Sequence, residues 1–457
     1  PRDYAPAAGR WMAMRDPQPE TLAGWGNVPV PGHERLSEDL ERASVGAVLS
    51  RGLGRAYGDS ALPPPSEREV LGTRLADRIL AFDPETGRIR AEAGLSLFEL
   101  NRLFLRRGFF TPVTPGTQFV TLGGMVAADV HGKNHHVGGC FGSDHVRRLR
   151  LRVADGRIVE CGPDLEPELF YATCGGMGLT GHILEVEVEL KKIPSPWIWG
   201  ESRRIANIDD FLASLKDFSA RYPYVVGWID CLSRGRKMGR GLLDGGRWAT
   251  AEESAGRPLP RTPRLTVPFN FPGWVLNDVT ARAFNFLWYW KHQPRERRGL
   301  RHPDGFFYPL DMVLHWNRIY GRRGFTQYQC VIPEAAGAEG VRRFLELLTG
   351  RGGASFLCVI KDCGPEAKGL LSFPMPGISI ALDIAVTPRT QALVDALNEQ
   401  VIADGGRIYL AKDTFTRAAD FRRMEPRLAE FAAIRDRWDP ERKIRSHQSV
   451  RLFGDPE

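Results

Sequence analysis

Apolar and polar positions in the first part of the chain predict short strands with a helix between them. Short apolar or alternating runs predict strands at Val45–Ser50, Ile79–Asp83 and Arg88–Gly94. Residues 96–108 instead carry apolar side chains at helical spacing, between a serine that can cap a helix and a glycine that can end one. The pattern indicates mixed α and β structure.

The strand pattern continues up to a cluster of prolines. HVRRLRLRVADGRIVECG (145–162) predicts a hairpin, because Asp155-Gly156 is a turn pair between two alternating runs. GHILEVEVELKKI (181–193) alternates again and is followed by Pro194 and Pro196. We therefore predict a first unit at residues 1–193.

Residues 194–406 predict a second, α+β unit. Strands are predicted at Tyr224–Leu232 and in FTQYQCVIP, SFLCVIKDCG and GISIALDIAV, with helices at Ile208–Arg221, at Ala338–Thr349 and within Thr387–Asp404. The stretch Gly256–Pro272 is rich in Pro and Arg and predicts a loop. Strands and helices in this order indicate an antiparallel sheet covered by helices, inserted as a cap.

Residues 407–457 form a C-terminal segment. RIYLAKD predicts a return to strand, and Ala418–Arg437 predicts a helix that Pro426 splits or kinks. Asp439-Pro440 marks the end of that helix.

Charge and cysteine content exclude several classes of protein. The chain has 457 residues and a net charge of +7, and its Lys and Arg are scattered, which argues against nucleic-acid binding. Its seven cysteines are odd in number and form no C-x-x-C pair, so neither a disulfide framework nor a metal site is expected. The opening residues PRDYAPAAGRW show no signal peptide, and no apolar run is long enough to span a membrane. We expect a cytoplasmic protein, or one peripheral at the inner membrane.

The first glycine-rich segment, RGLGRAYGD (51–59), departs from the dinucleotide fingerprint G-x-G-x-x-G. Tyr57 stands where the third glycine is needed, and prolines follow where a helix should begin. Gly52, Gly54 and Gly58 can still aim backbone N–H groups at a phosphate. Taken alone, this loop is as consistent with an ordinary tight turn as with a pyrophosphate site.

Two further glycine-rich segments favour a large phosphate-bearing cofactor. PGTQFVTLGGMVAADVHGKNHH (115–136) and ATCGGMGLTGHI (172–183) combine glycines with small residues, so a flat ligand can lie against the backbone. The alternative is that they are loop-rich connectors.

The order of these three segments resembles the vanillyl-alcohol-oxidase (PCMH-type) FAD-binding fold. More closely, it is similar to the decaprenylphosphoryl-β-D-ribose 2′-oxidase family, through FFYPLD, WNRIYGRRGFTQYQ, LSFPMPG and YLAKD as well. The resemblance implies a two-lobed FAD domain with an inserted substrate-binding cap. It implies these cofactor-binding residues: Arg51, Gly52, Leu53, Gly54, Arg55, Ala56, Tyr57, Gly58, Ser60, Gly116, Thr117, Thr121, Gly123, Gly124, Ala128, His131, Gly132, Gly178, Gly181, Ile183, Tyr409 and Lys412.

Arg55 stands where relatives with covalently attached FAD often carry histidine. A guanidinium group cannot form that link, so we predict that FAD is bound non-covalently.

The resemblance also implies catalytic and substrate-binding residues. Lys412 and Tyr57 are implied as catalytic, and Lys412 could act as a neutral base or as a cation that stabilises an alkoxide. Without the resemblance, Lys412 would be taken for a surface lysine paired with Asp413. The implied substrate-binding residues are His131, Lys133, Trp228, Tyr308, Gln327, Gln329, Lys361 and Asp383.

Two substituted positions and one strand face bear on the substrate pocket. Gln327 and Gln329 alternate along one strand and so share a face, which composition alone would place in solvent. Ala381 stands where mycobacterial members have the cysteine that covalent inhibitors attack, and Ser379 stands where they have a longer amide. We expect oxidation to survive these changes and thiol-directed inactivation to be lost.

The leading hypothesis is FAD-dependent oxidation of the 2′-hydroxyl of a polyprenylphosphoryl-β-D-ribose, completed by a separate reductase to give the arabinose epimer. The arginine-rich segment Gly256–Gly299, with its tryptophans, suits an acidic lipid at a membrane surface, or is merely a mobile loop. Alternatives are a soluble sugar-alcohol or aldonolactone oxidase that uses O₂, and a basic binding protein without redox activity.

Overall fold

A computed structural model describes residues 20–260, 262–292, 294–353 and 355–457. The opening residues, on which the absence of a signal peptide was inferred, lie outside these ranges. Within them, no helix has both the length and the apolar character needed to cross a membrane.

The strands are short in the first part of the chain and longer in the second. They are β1 (Thr21–Ala23), β2 (Pro29–Pro31), β3 (His33–Leu36), β4 (Ser50–Arg51), β5 (Glu69–Gly72), β6 (Ile79–Phe82), β7 (Arg88–Glu92), β8 (Phe109–Phe110), β9 (Val146–Arg152), β10 (Ile158–Cys161), β11 (His182–Glu189), β12 (Lys191–Lys192), β13 (Ile198–Ile205), β14 (Tyr224–Ile229), β15 (Gly241–Trp248), β16 (Leu265–Thr266), β17 (Glu296–Arg301), β18 (Val313–Leu314), β19 (Phe325–Pro333), β20 (Cys358–Cys363), β21 (Gly377–Ala385) and β22 (Arg407–Ile408).

The helices are α1 (Leu40–Ala43), α2 (Leu97–Phe104), α3 (Leu122–Ala127), α4 (His135–Gly138), α5 (Phe141–His145), α6 (Pro167–Thr173), α7 (Ile208–Arg221), α8 (Ala251–Ser254), α9 (Asp278–Lys291), α10 (Pro303–Phe307), α11 (Gly337–Gly350), α12 (Thr390–Ala403), α13 (Ala418–Met424), α14 (Leu428–Trp438) and α15 (His447–Phe453). Short 3₁₀ turns connect several of them.

The first part of the chain contains a small parallel sheet and a five-stranded antiparallel sheet. The parallel sheet has the order β3-β5-β4, and the antiparallel sheet has the order β10-β9-β11-β7-β6. The predicted hairpin at 145–162 is confirmed as β9 and β10. Ser96 caps α2 as predicted, and Gly108 adopts a left-handed conformation after it. Apolar residues of these sheets and of α2, α3 and α6 form one core.

The second part is built on an eight-stranded antiparallel sheet, with the order β17-β13-β15-β14-β20-β21-β19-β22. Helices α7, α11 and α12 pack on one face of this sheet, where alternate residues such as Tyr328, Cys330 and Ile380 join their apolar side chains. Because strand side chains alternate, the remaining residues of β19, β20 and β21 face the other way. The α+β prediction with an antiparallel sheet is confirmed at this level.

Several predictions for residues 194–406 were incomplete. Strands β13, β15 and β17 and the helix α9 were not predicted. β15 (GLLDGGRW) is rich in glycine and β17 (ERRGLR) is a basic edge strand, so neither has the apolar alternation that marks a strand. The interpretation of Gly256–Gly299 as merely a loop is wrong where α9 forms.

The C-terminal segment begins at the eight-stranded sheet and ends against the first part of the chain. RIYLAKD forms only the two-residue strand β22, which pairs with β19, and the rest is turn. The helix break at Pro426 is confirmed, since α13 and α14 flank it, and α14 ends before Asp439. The N–H of His447 then donates to the carbonyl of Leu62 (3.0 Å). The predicted strand at Val45–Ser50 is likewise reduced, to β4.

Candidate active site

A long cleft lies between the glycine-rich loops and the polar face of the eight-stranded sheet. Its lining brings together most of the residues predicted to bind cofactor or substrate. Those in the lining are Gly52, Leu53, Gly54, Arg55, Ala56, Tyr57, Ser60, Gly116, Thr117, Thr121, Gly123, Gly124, Ala128, His131, Gly178, Gly181, Ile183, Gln327, Gln329, Lys361, Tyr409 and Lys412. The three glycine-rich segments thus share one cavity with residues of β19, of β20 and of the turn after β22.

The glycines of the cleft let backbone approach backbone and leave room for a flat ligand. A side-chain carbon on Gly52 would lie 2.4 Å from the hydroxyl of Thr121, which caps α3. Gly54 and Gly178 have φ of +62° and +82°, where L-residues are strained. Gly116 and Gly178 have no atom within 4 Å of such a carbon, so both face open space. This backbone-lined cradle fits the extended shape of FAD.

Arg51, Gly58 and Gly132, which were predicted to bind cofactor, belong to the glycine loops but are not part of the cleft lining. Arg51 is buried, bonds Glu34 (2.6 Å) and donates to the carbonyls of Ala23 and Ala61. A side-chain carbon on Gly58 would lie 1.7 Å from the carbonyl oxygen of Asp413. Arg51 and Gly58 therefore hold the first loop in place from behind the lining.

The loop is also held from the C-terminal segment through Arg451. Its guanidinium bonds Asp59 (2.8 Å) and Asp413 (2.8 Å), and His447 also contacts Asp59 (3.1 Å). Burial works to raise the pKa of Asp59, but Arg451 and His447 bring it below the usual value. The ion pairs therefore join the first glycine loop to the turn that carries Lys412.

The other wall of the cleft is formed by alternate residues of β19, β20 and β21. Across these strands Gln327 pairs with Asp383, Gln329 with Ala381, and Lys361 with Ser379. Gln329 donates to the hydroxyl of Ser379 (3.2 Å) and contacts Nε2 of His131 (3.1 Å). The two glutamines do share a face, but that face is buried and lines the cleft instead of meeting bulk solvent.

His131 is held neutral between the two walls. Burial, followed by the charges of Lys361, His135 and Lys412, keeps the pKa of His131 well below its usual range. The Nζ of Lys361 lies 3.3 Å from Nδ1 of His131. His131 can therefore accept or donate a hydrogen bond without carrying charge at neutral pH.

Lys412 and Tyr57 lie together at one end of the polar face. The Nζ of Lys412 lies 3.7 Å from the ring centre of Tyr57, and the N–H of Tyr57 donates to the carbonyl of Ala411 (2.9 Å). Burial lowers the pKa of Lys412 to about 7, against the opposing charge of Asp383. An amine that titrates near neutrality can accept a proton from an alcohol.

Asp383 is fully buried behind the lining. It accepts hydrogen bonds from Gln327 (2.6 Å) and from the hydroxyl of Tyr320 (3.0 Å). Burial raises the pKa of Asp383 to about 7, while Gln327, Tyr320 and the charge of Lys412 lower it. Its position indicates that it orients Gln327 and acts on Lys412 electrostatically; we do not see it in contact with the cavity.

Three more predicted substrate residues lie outside the lining. Tyr308 is buried in the core of the first part of the chain, and its hydroxyl contacts Thr114 (2.5 Å) and Asn101 (2.9 Å). Trp228 pairs across strands with the lining residue Val359 and donates to the carbonyl of Phe356. Lys133 lies within the second glycine-rich segment, directly after Gly132. Burial, with the charge of Lys361 next, lowers its pKa to about 8.

Asp311 is a cleft residue that the sequence did not single out. It lines the cavity beside Arg55 and accepts from the N–H of Gln118 (2.8 Å), and burial raises its pKa to about 6. Trp25 and Trp316 also line the cleft, with ring centres 5.8 Å apart. FFYPLD and WNRIYG carry Asp311 and Trp316, so the family motifs held a signal, but nothing in their spacing marked either residue as functional.

Known proteins match this chain in both its cofactor region and its full length. The FAD binding domain family matches residues 42–162. Decaprenylphosphoryl-β-D-ribose oxidase of Mycolicibacterium smegmatis is 36% identical over 453 residues, which cover 94% of this chain and 97% of that protein. A Streptomyces coelicolor protein described as an uncharacterized protein in the mprA 5′ region is 34% identical over 78% of this chain and 100% of its own length. D-arabinono-1,4-lactone oxidase of Yarrowia lipolytica is 26% identical over only 31% of this chain and 27% of its own.

The matching domain and the glycine-lined cleft define an FAD-dependent oxidoreductase. Similarity over nearly the whole chain goes further: the chain belongs to the decaprenylphosphoryl-β-D-ribose oxidase family. The family resemblance and the prediction of FAD as cofactor are therefore confirmed.

Proposed function

We propose that this chain oxidises the 2′-hydroxyl of a polyprenylphosphoryl-β-D-ribose to the 2′-keto sugar. The observation that carries the proposal is the cluster at the polar end of the cleft, where Lys412, Gln327, Gln329 and Lys361 line one cavity with the glycine cradle. The full-length relative, which is named for a decaprenylphosphoryl ribose, supports the substrate class.

In this proposal Lys412 accepts the proton of the reacting hydroxyl. Its pKa of about 7 leaves much of the amine neutral near neutral pH. FAD held in the glycine cradle would supply the hydride acceptor, so the proton and the hydride that leave the alcohol would each have an acceptor as the carbonyl forms. Gln327 is oriented by Asp383, and Gln329 by Ser379 and His131, so both can fix sugar hydroxyls.

The phosphate of the substrate is assigned to Lys361 and Lys133. Their pKa values are lowered to about 8, chiefly by burial, so each gains from a bound anion that restores its charged form. No acidic partner is observed on Lys361 within the described ranges; His131 is its hydrogen-bonding neighbour. The keto product would pass to a separate reductase.

The domain division supports the same reaction scheme. We assign residues 1–193 and 407–457 to FAD and residues 194–406 to a substrate-binding cap. The core of the first part includes Phe306, Phe307 and Tyr308, so the cap is anchored in that core.

Arg55 in the first loop supports non-covalent attachment of FAD. Acid precipitation should then leave the yellow colour in the supernatant, and a yellow pellet would contradict this.

Anaerobic mixing of the holoenzyme with synthetic polyprenylphosphoryl ribose tests the reaction. Rapid bleaching of the flavin is expected, with no bleaching by free ribose or by free polyols. Intact flavin that is not bleached by the lipid-linked sugar would overturn the substrate assignment. Peroxide release with free polyols would instead favour a soluble sugar-alcohol or aldonolactone oxidase.

A further inference from the structure

Helix α9 presents an apolar face to solvent and polar or small residues to the protein. Ala281, Asn285 and Tyr289, four residues apart, are buried, and Asn285 donates to Asp230 (2.9 Å). On the opposite side Val279, Phe286, Leu287 and Trp290 are 75%, 53%, 67% and 45% exposed. A helix of a soluble domain normally shows the reverse arrangement. We call these four residues the α9 face.

Exposed apolar residues continue from the α9 face into the segment before it. Leu265, Phe269 and Trp274 are 73%, 62% and 75% exposed. Exposed aromatic clusters of this kind mark interaction surfaces. The helix is firmly formed, because Asn277 and Thr280 make a capping box at its start.

Basic residues border the C-terminal end of α9. Lys291 ends the helix, and Arg295, Arg297 and Arg298 follow in or beside the edge strand β17, all exposed. His292, Arg297, Arg298 and Arg301 line a shallow pocket there with Ser202. Glu296 bonds Arg203 and Arg298 bonds Glu201, which leaves the border with a positive balance. We call Lys291, Arg295, Arg297 and Arg298 the basic border.

Aromatic side chains connect the same helix to the cleft. The ring of Phe284 in α9 contacts Phe356 (5.6 Å), which stacks on Tyr320 (5.5 Å). Tyr320 donates to Asp383, and Leu357, next to Phe356, lines the cavity. An apolar path therefore runs from the exposed helix to the substrate end of the cleft.

We propose that the α9 face and the basic border dock this protein on an anionic lipid bilayer, with α9 lying in the interface. An apolar face bordered by cations is the pattern of helices that bind anionic membrane surfaces. The basic border favours an anionic bilayer over a second copy of this chain, because a second copy would bring the same positive charge to the interface. The role of this docking in catalysis rests on the proposed function, but the docking itself does not.

Flotation of the holoprotein with lipid vesicles tests this docking. Vesicles of phosphatidylcholine containing phosphatidylglycerol should capture the protein, and those of phosphatidylcholine alone should capture less. Leu287→Asp should weaken capture about tenfold or more, since a charge replaces a leucine that would otherwise enter the lipid interface. Arg297→Gln should weaken capture a few-fold on anionic vesicles only. The matched controls Val45→Asp and Arg42→Gln, at exposed positions in or near α1, should float like the wild type.

Three outcomes would overturn the docking proposal. They are no capture by either vesicle, equal capture of Leu287→Asp and wild type, and a dimer in light scattering that Leu287→Asp converts to monomer. The dimer would identify a second copy as the partner. Turnover of a short-chain, detergent-free ribosyl phosphate analogue should be equal in all variants. If that turnover is absent while vesicle capture holds, the proposed reaction fails and the docking stands.

Discussion

The two walls of the cleft are built in opposite ways. The glycine wall is mostly backbone, and buried ion pairs such as Arg51 with Glu34 hold it from behind. The sheet wall is made of side chains, with Lys361, Gln327 and Gln329 on rigid strands. The glycine wall therefore holds the cofactor through the shape of its backbone, and the sheet wall supplies the side chains that act on the substrate. Substitutions in the glycine wall should weaken cofactor binding and lower stability, and substitutions in the sheet wall should slow turnover.

Removing the amine of Lys412 should give the largest effect. Lys412→Ala is expected to slow flavin bleaching by about 10²- to 10⁴-fold, the usual size of a lost acid–base group. Bound FAD should remain, because the glycine wall is intact. Stopped-flow absorbance measures both. Lys192→Ala, at an exposed strand position, is the control. Bleaching at the wild-type rate would remove Lys412 from the catalytic role.

The substitution Gly58→Ala, which adds one carbon, should disrupt the glycine wall. The new carbon would meet the carbonyl of Asp413 at 1.7 Å, so loop and turn must separate. We expect Gly58→Ala to lower the free energy of unfolding by about 1–3 kcal/mol and to release FAD. Thermal unfolding and the flavin content after gel filtration check this. Gly350→Ala, where the carbon meets no atom within 4 Å, is the control. Full flavin content in Gly58→Ala would contradict the account.

Asp383 should act through Lys412 and be visible in a pH profile. Its negative charge raises the pKa of Lys412, which burial lowers to about 7. Without that charge the neutral amine persists at lower pH, so Asp383→Asn should move the acidic limb of the bleaching rate below pH 7. The rate itself should fall by about tenfold through the altered contact with Gln327. Asp395→Asn, on α12, is the control. If the acidic limb of the profile stays at the same pH or moves to higher pH, Asp383 has a structural role only.

A cysteine introduced into the sheet wall should make the protein react with thiol reagents, with little change in turnover. Ala381 lines the cleft, while the seven native cysteines are all buried. Ala381→Cys should therefore make the enzyme sensitive to thiol-directed reagents, with turnover within about threefold of wild type. Mass spectrometry after labelling measures the adduct. Equal labelling of the wild type and of the Ala381→Cys variant would show that another thiol reacts.

The glycine wall was more accessible to sequence reasoning than the sheet wall. Gly52, Gly54 and Gly123 stand in contiguous segments, so their clustering is visible without a fold. Gln327, Lys361 and Lys412 come from three separate elements and meet only through strand register and the turn after β22. Their assignment came from family resemblance. Spacing alone had placed the glutamine face in solvent.

The incorrect predictions also concern features that depend on contacts between distant segments. Tyr308 and Asp383 were predicted to bind substrate, and only tertiary packing shows that neither side chain is part of the cleft lining. Helix α9 was missed because Asn285 is buried while Phe286 and Leu287 are exposed, which departs from the usual pattern of an apolar buried face.

The sequence by itself determined many of the local elements and a phosphate-bearing cofactor, because helix caps, hairpin turns and glycine loops are encoded in adjacent residues. Only the tertiary structure decided which polar groups share a cavity and which are buried behind it. Burial is a property of contacts between distant segments. The same burial lowers the pKa of Lys412 to about 7 and so turns a lysine in YLAKD into a candidate base.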